Sequence, residues 1–272
     1  MSTGPEFLLD HLRRAVAAAG HVLVALDFDG TLAPISADPE DSAMPPETAT
    51  LLREVAQSGH CTVAVVSGRP ISDLRARVGL DVIYAGNHGL EIEGPGISFV
   101  HAEAYMLRGL VDHASWDLEA ALEAVRGAFV ERKGLTTTVH YRQARAELSD
   151  WIAATVLMAA GAYGGRLVVL PARKAWEIRP RVAWNKGSAV RFLLNRFSPG
   201  PLLVCAGDDE TDEDMFSVSP DAISIKVGTA TRTSARYQVG TVRDFLPCLE
   251  ALAGARAGPV LPGQGSVESL SA

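Results

Sequence analysis

Two aspartates one residue apart, Asp27 and Asp29, end the apolar run Val22–Leu26 and are followed by Gly30 and Thr31. Far along the chain, Gly207–Phe216 (GDDETDEDMF) packs six acids into ten residues, and Lys186 lies between these two segments in Trp184-Asn185-Lys186-Gly187. Carboxylates at that density repel one another unless a cation or solvent relieves them. An EF-hand is excluded, because its sixth position needs glycine and Glu213 stands there. Asp208, nearest a strand end, is the best metal candidate. Together with Asp27 it supplies the one or two carboxylates that Mg²⁺ takes alongside a substrate phosphate. A cation there would draw Asp27 and a phosphate together against their repulsion, which is phosphoryl-transfer chemistry. Such chemistry also asks for positive charge around the equatorial oxygens. Lys186 at a helix start and the hydroxyl of Ser67 answer that need. Each feature has a plainer reading alone: Asp-Gly is a turn signal, acids suit a helix N-terminus, a helical lysine is commonly solvated, and Ser67 suits a helix cap.

The elements that position these groups follow from patterning. Val22–Leu26 is apolar without alternation, as in a parallel strand covered on both faces, and in such sheets ligands bind beyond the carboxyl ends of the strands. Phe7–Ala19 has helical spacing and stops at Gly20; Pro46 opens a helix closed by Gly59; Cys61–Val66 is a strand ending at Ser67-Gly68-Arg69, and Pro70 begins another helix. Val82–Ala85 is a third strand. From about Glu103 the texture changes: Trp116–Phe129 reads as a helix, Thr136–Tyr141 as a strand, Arg145–Ala160 as a helix, and Arg166–Leu170 and Trp176–Ile178 as strands. A helix from Lys186 to Arg196, strands Leu202–Cys205 and Ala222–Val227 and a helix Val242–Leu252 resume the alternation, and Gly254–Ala272 reads as a loose tail. The expected fold is α/β: a doubly wound, mostly parallel Rossmann-like core over 1–102 and 179–272, split by an α+β cap over 103–178. The five core strands end in Asp27, Ser67, His88, Asp208 and Gly228, and that convergence tells against the plainer readings.

Composition narrows the function classes. The 272 residues are 47% hydrophobic and 21% charged with a formal net charge of −7, and no basic stripe is visible, which argues against nucleic-acid binding. Cys61, Cys205 and Cys248 lack C-x-x-C spacing and read as buried thiols of a reducing compartment. No run reaches the roughly 18 apolar residues that span a bilayer, and no leader pattern is present, so a cytoplasmic protein is expected. Ser67 lacks the first glycine of G-x-S-x-G, no G-x-x-x-x-G-K-[ST] occurs, Gly94–Phe99 does not complete a dinucleotide fingerprint, and no H-E-x-x-H or Cys/His cluster suggests zinc.

Asp27-Phe28-Asp29-Gly30-Thr31, Ser67-Gly68-Arg69, Lys186 and Gly207-Asp208-Asp209 with Asp212 resemble, in order, the four motifs of the haloacid-dehalogenase-like phosphohydrolases. The insert between the second and third motifs resembles that superfamily's type 2 cap. Thr31–Ile35, Tyr84–Glu91, Lys174–Pro180 (KAWEIRP) and Gly207–Phe216 are similar to the trehalose-6-phosphate phosphatase family, a likeness covering roughly 20–230.

The resemblance implies a Mg²⁺-dependent phosphatase. Asp27 would form an aspartyl-phosphate, and Asp29 would protonate the sugar oxygen and then take a proton from water. Mg²⁺ would be held by Asp27, the Asp29 carbonyl and Asp208, with Asp212 orienting Lys186 or metal-bound water. Thr31, Ser67, Gly68 and Lys186 would hold the phosphoryl oxygens. The cap and its rim would read the sugar, with Asn87, His88, Lys133, His140, Arg142, Lys174 and Glu177 as candidates, since carboxylates and cations offer paired acceptors and donors to hydroxyls. A monomer that meets a small-molecule sugar phosphate, and neither nucleic acid nor membrane, is expected. Other sugar phosphates, a phosphomutase that excludes water from the intermediate, and a silent partner of a sugar-phosphate synthase stay open. The presence together of Asp27, Asp29, Lys186 and Asp208 tells against the silent partner.

Overall fold

The computed structural model of the chain describes residues 5–36, 38–197 and 200–255, so the tail reading beyond Ala255 lies outside the described residues. In chain order, α1 (Pro5–Ala18), β1 (Val22–Leu26), α2 (Pro46–Gln57), β2 (Cys61–Val66), α3 (Ile71–Val78) and β3 (Ile83–Gly86) form the first half of a core. A hairpin, β4 (Glu91–Gly94) and β5 (Ile97–Val100), extends its edge. Next come α4 (Ala102–Leu122), β6 (Phe129–Arg132), β7 (Thr137–His140), α5 (Ser149–Gly161), β8 (Leu167–Ala172) and β9 (Ala175–Pro180). The core resumes with α6 (Lys186–Leu194), β10 (Leu202–Gly207), α7 (Glu213–Phe216), β11 (Ile223–Val227), β12 (Tyr237–Val239) and α8 (Val242–Gly254).

The core sheet runs β12-β11-β10-β1-β2-β3-β4-β5, parallel from β12 to β3 and antiparallel through the hairpin. β1 pairs with β10 on one side and β2 on the other, so the winding reverses at β1 and leaves a crevice beyond its carboxyl end. All five β1 residues are buried. Val22, Val24 and Leu26 pack with Leu8, Leu12, Leu52, Phe245 and Leu249 from α1, α2 and α8, while Leu23 and Ala25 pack with Val190, Leu193, Met215 and Phe216 from α6 and α7. Each such aliphatic side chain contributes about 1.5–3 kcal/mol when removed from water. That two-sided burial explains the absence of alternation.

A second sheet, β6-β7-β9-β8, is antiparallel and has its own apolar core with α4 and α5, built from Val111, Leu118, Val139, Ile152, Val156 and Ile178. Here the sequence reading needs correction. The helix expected over Trp116–Phe129 is α4, which starts at Ala102, capped by the His101 ring accepting from the Ala104 N–H, and ends at Leu122. Phe129 begins β6 instead. Half of the buried residues of α4 are small (Ala104, Ala114, Ser115) and carry little periodic signal beside Val111, Leu118 and Leu122, and Gly127 at φ +86° turns the chain into β6. The β4–β5 hairpin and the three-residue β12 also escaped the sequence reading.

Candidate active site

Asp27 directly follows β1, and its N–H donates to the Ala206 carbonyl of β10 at 3.0 Å. The chain then folds tightly, with the Leu32 and Ala33 amides donating to the Phe28 carbonyl. Gly30 has φ +85°, and a Cβ there would lie 2.2 Å from the Asp208 carboxyl, so only glycine lets the two acidic loops meet. Lys186 opens α6, where Asn185 caps the helix by accepting from the Ser188 amide at 2.8 Å. Its ammonium donates to Asp27 Oδ1 at 2.7 Å and to Asp212 Oδ1 at 2.6 Å, with the lysine 3% exposed. The other Asp212 oxygen accepts from the Asp209 amide at 2.9 Å in a capping box. Both Asp212 oxygens are therefore engaged within the protein.

Asp27, Asp208 and Asp212 bring carboxylate oxygens within 4.8 Å of one another. Burial would lower the Lys186 ammonium, but Asp212 and Asp27 outweigh it and hold it above the usual lysine range. Burial pushes the Asp27 carboxyl well above the usual range; Lys186 opposes this while Asp212, Asp208 and Asp29 add to it. Burial, with Asp212 and Asp209, likewise lifts Asp208 to about 7. Neither the Asp208 carboxylate nor Asp27 Oδ2 takes a protein hydrogen bond among the described residues. Two unsatisfied carboxylates beside one lysine form a set of hard oxygen donors short of positive charge, which fits Mg²⁺. Asp27, Asp208 and the carbonyl of Asp29 are the groups that would hold it.

Asp29 lies apart from this cluster. Its carboxylate takes the Arg69 fork, Nε at 2.6 Å and Nη2 at 2.8 Å, and the Ser42 hydroxyl at 2.8 Å. Ser67, 2% exposed, directly follows β2, and its Oγ accepts from the Arg69 amide at 3.2 Å. A Cβ at Gly68 would lie 2.6 Å from the His88 ring, so this glycine makes room for the imidazole. Asp27, Asp29, Ser67, Gly68, His88, Lys186 and Asp208 line one cleft with residues of the second sheet.

From that sheet the structure brings Lys133, His140, Arg142 and Glu177 to the cleft, together with Glu131, Thr138 and Arg173. Glu177, 5% exposed, accepts from Arg179 Nε at 2.7 Å and pairs with His88 Nε2 at 3.0 Å, joining the two units. Burial alone would raise its carboxyl, but His88, Arg179 and Lys133 hold it well below the usual range. Burial, aided by Arg179 and Lys186, lowers His88 to about 4 against the pull of Glu177. His140 stacks on Phe129 with ring centroids 4.7 Å apart and bonds Glu131 Oε2 at 2.8 Å.

Three expected contacts are placed elsewhere. Asn87 is fully buried and committed: its amide donates to Glu91 Oε1 and the Lys133 carbonyl, and its oxygen accepts from Thr136. It ties the two units together and does not line the cleft. Lys174 occupies the exposed β8–β9 turn at φ +54°, and its neighbour Arg173 reaches the cleft in its place. Thr31 Oγ1 is buried without a partner and off the cleft surface. Glu213 accepts from the Thr233 hydroxyl and the Ser234 amide. Sequence reasoning missed roles for Arg69, Glu131, Thr138 and Arg173. The alternation Phe129, Glu131, Lys133 would have signalled a strand face, had the expected helix not been carried as far as Phe129. Cys61, Cys205 and Cys248 are buried and free, and no described helix is long and apolar enough to cross a membrane.

A doubly wound core with an aspartate at its switch point, a buried lysine and an acidic loop defines the haloacid-dehalogenase-like class. The family model described as trehalose-phosphatase matches residues 25–242, and the chain belongs to that family. A trehalose-phosphate phosphatase of Mycobacterium marinum is 36% identical over 211 residues, covering 75% of this chain and 53% of that protein. The trehalose 6-phosphate phosphatase RA3 of Zea mays is 33% identical over 269 residues, covering 89% and 73%. Among solved structures, a trehalose-6-phosphate phosphatase related protein superposes with TM-score 0.76 at 25% identity, covering 85% of this chain and 96% of that one. The chain spans about half the length, or less, of most of the first curated relatives it matches, 15% of an uncharacterized glycosyl hydrolase of Mycobacterium tuberculosis among them.

Proposed function

We propose that the protein hydrolyses trehalose 6-phosphate to trehalose and inorganic phosphate with Mg²⁺, by way of a phosphoryl group carried on Asp27. The observation that carries this reading is the buried Lys186 bridging Asp27 and Asp212 beside the unsatisfied Asp208, with family membership supplying the substrate class. Asp27 attacks phosphorus, and the phosphorus–oxygen bond to the sugar breaks with its electron pair on the sugar oxygen. Asp29 gives that oxygen a proton. The resulting Asp29 carboxylate takes a proton from water as the water oxygen attacks phosphorus, releasing phosphate and restoring Asp27. Lys186, pinned by Asp212, fixes the Asp27 carboxylate and offers positive charge to the phosphoryl oxygens, and the Ser67 hydroxyl offers a further donor. Mg²⁺, when bound, would neutralise the charge shared by Asp27, Asp208 and the phosphate.

The inserted unit, residues 103–178 by sequence and α4 to β9 by structure, is proposed as the sugar reader, since the core groups are indifferent to the leaving group. Glu131, Lys133, His140 and Glu177 give alternating acceptors and donors suited to hydroxyls. The test is phosphate release, with and without Mg²⁺, from trehalose 6-phosphate alongside sucrose, glucose, mannosylglycerate and glucosylglycerate phosphates. A Mg²⁺-dependent preference for trehalose 6-phosphate is expected. Preference for another member would move the specificity and keep the chemistry; no release from any would overturn the phosphatase reading.

A further inference from the structure

Arg69 is unusually committed for a residue at a cleft. Its guanidinium lies over the fully buried Phe28 ring at 5.6 Å. Nη1 donates to Asp73 at 2.7 Å, Nη2 to the Pro39 carbonyl at 2.8 Å, and Nε and Nη2 to the two oxygens of Asp29. Asp73 is held from its other side by Arg77 Nε at 2.7 Å, and Arg77 also grips the Ser42 carbonyl. Arg69 thus cannot turn toward a phosphate without breaking a fixed lattice of partners. It faces one carboxylate of the cleft, Asp29.

A carboxylate offers about four lone-pair positions, two on each oxygen. On Asp29, Oδ1 receives both Arg69 Nη2 and the Ser42 hydroxyl, while Oδ2 receives Arg69 Nε alone. One position is left, and it is on Oδ2. We infer that Arg69 is the positioning residue for Asp29: by occupying three of the four positions with Ser42, it assigns Oδ2 as the oxygen that gives its proton to the departing sugar oxygen and later takes one from water. The inference rests on the hydrolysis scheme proposed above. Arg69 bonds Asp29 and neither the phosphoryl group nor the sugar; it acts through the aim of Asp29.

Orientation of an acid matters only where the leaving oxygen needs a proton. A sugar alkoxide does, whereas p-nitrophenolate leaves without one, and kcat/KM reports the steps up to that departure. The experiment compares kcat/KM of Arg69→Gln, Arg69→Lys and wild type on the preferred sugar phosphate and on p-nitrophenyl phosphate. Arg69→Gln is expected to lose roughly 100-fold on the sugar phosphate, the lower end of what general acid catalysis supplies, and less than about 3-fold on the aryl phosphate. Arg69→Lys keeps the charge without the planar fork and is expected to recover little. Equal losses on both substrates, or full recovery by lysine, would overturn the inference. Should Arg69→Gln not fold, Ser42→Ala removes one bond to Oδ1 and should show the same split at roughly 5-fold, and equal losses there would overturn the inference as well. Wild-type protein that releases no phosphate overturns the proposed function itself, and does so before any variant is compared.

Discussion

Lys186 in the core and Glu177 in the inserted sheet are both buried charges on one cleft, 3% and 5% exposed, yet they are neutralised in opposite ways. One ammonium at Lys186 faces the crowded carboxylates of Asp27, Asp208 and Asp212, so the core cluster is short of positive charge. One carboxylate at Glu177 faces His88, Arg179 and Lys133, so the cap cluster has donors to spare. The first deficit suits a hard cation and a phosphoryl group. The second surplus suits hydroxyl oxygens, which accept as readily as they donate. Unpaired, either charge would cost several kcal/mol to bury, so each is built with partners.

This contrast can be broken at either end. The largest effect is expected at Asp27→Asn, where turnover of every phosphate ester should vanish while the melting temperature shifts little, because burial already disfavours the Asp27 anion. Residual hydrolysis in that variant, above wild-type contamination, would sink the covalent scheme. Glu177→Gln should come next: about 10- to 100-fold lost in kcat/KM on the disaccharide phosphate and little on p-nitrophenyl phosphate, since only the former meets the cap donors. Equal losses would make Glu177 a structural tie between the units. The smallest effect concerns acid. His88 sits at about 4 in the folded protein against an ordinary 6.5, so the unfolded chain takes the proton first. Its share of stability is whole above about 6.5 and is lost as pH falls toward about 4, whereas the depressed Glu177 carboxyl fails only at lower pH. Thermal melting across that window should fall less steeply in His88→Gln than in wild type, and parallel curves would remove His88 as the titrating group.

Much of the core was legible because its signals are local. β1, β3 and β10 are continuous apolar runs, β2 and β11 keep an apolar majority around Thr62 and around Ser224 and Lys226, and Asp27, Ser67 and Asp208 follow the ends of β1, β2 and β10 directly into the cleft. Lys186 was legible by its position at a helix start. The cap was less so. Half of the buried residues of its helix α4 are small, its outer strands β6 and β8 are largely exposed or half-buried, and the length of β6 is four residues. Asn87 and Lys174 show the limit of motif reasoning: one is a polar residue spent on internal bonds, the other sits a single position away from the arginine that reaches the cleft.

The sequence by itself determined the doubly wound core, the strand ends at which Asp27, Ser67, His88 and Asp208 stand, and the excess of carboxylates, since each depends on neighbours within a few residues. Only the tertiary structure decided who neutralises whom. Lys186 divides itself between Asp27 and Asp212, Arg69 reaches back to Asp29, and His88 crosses to Glu177. The physical reason is that a buried charge is satisfied through space, by partners that in these three cases lie 26 to 159 residues away along the chain.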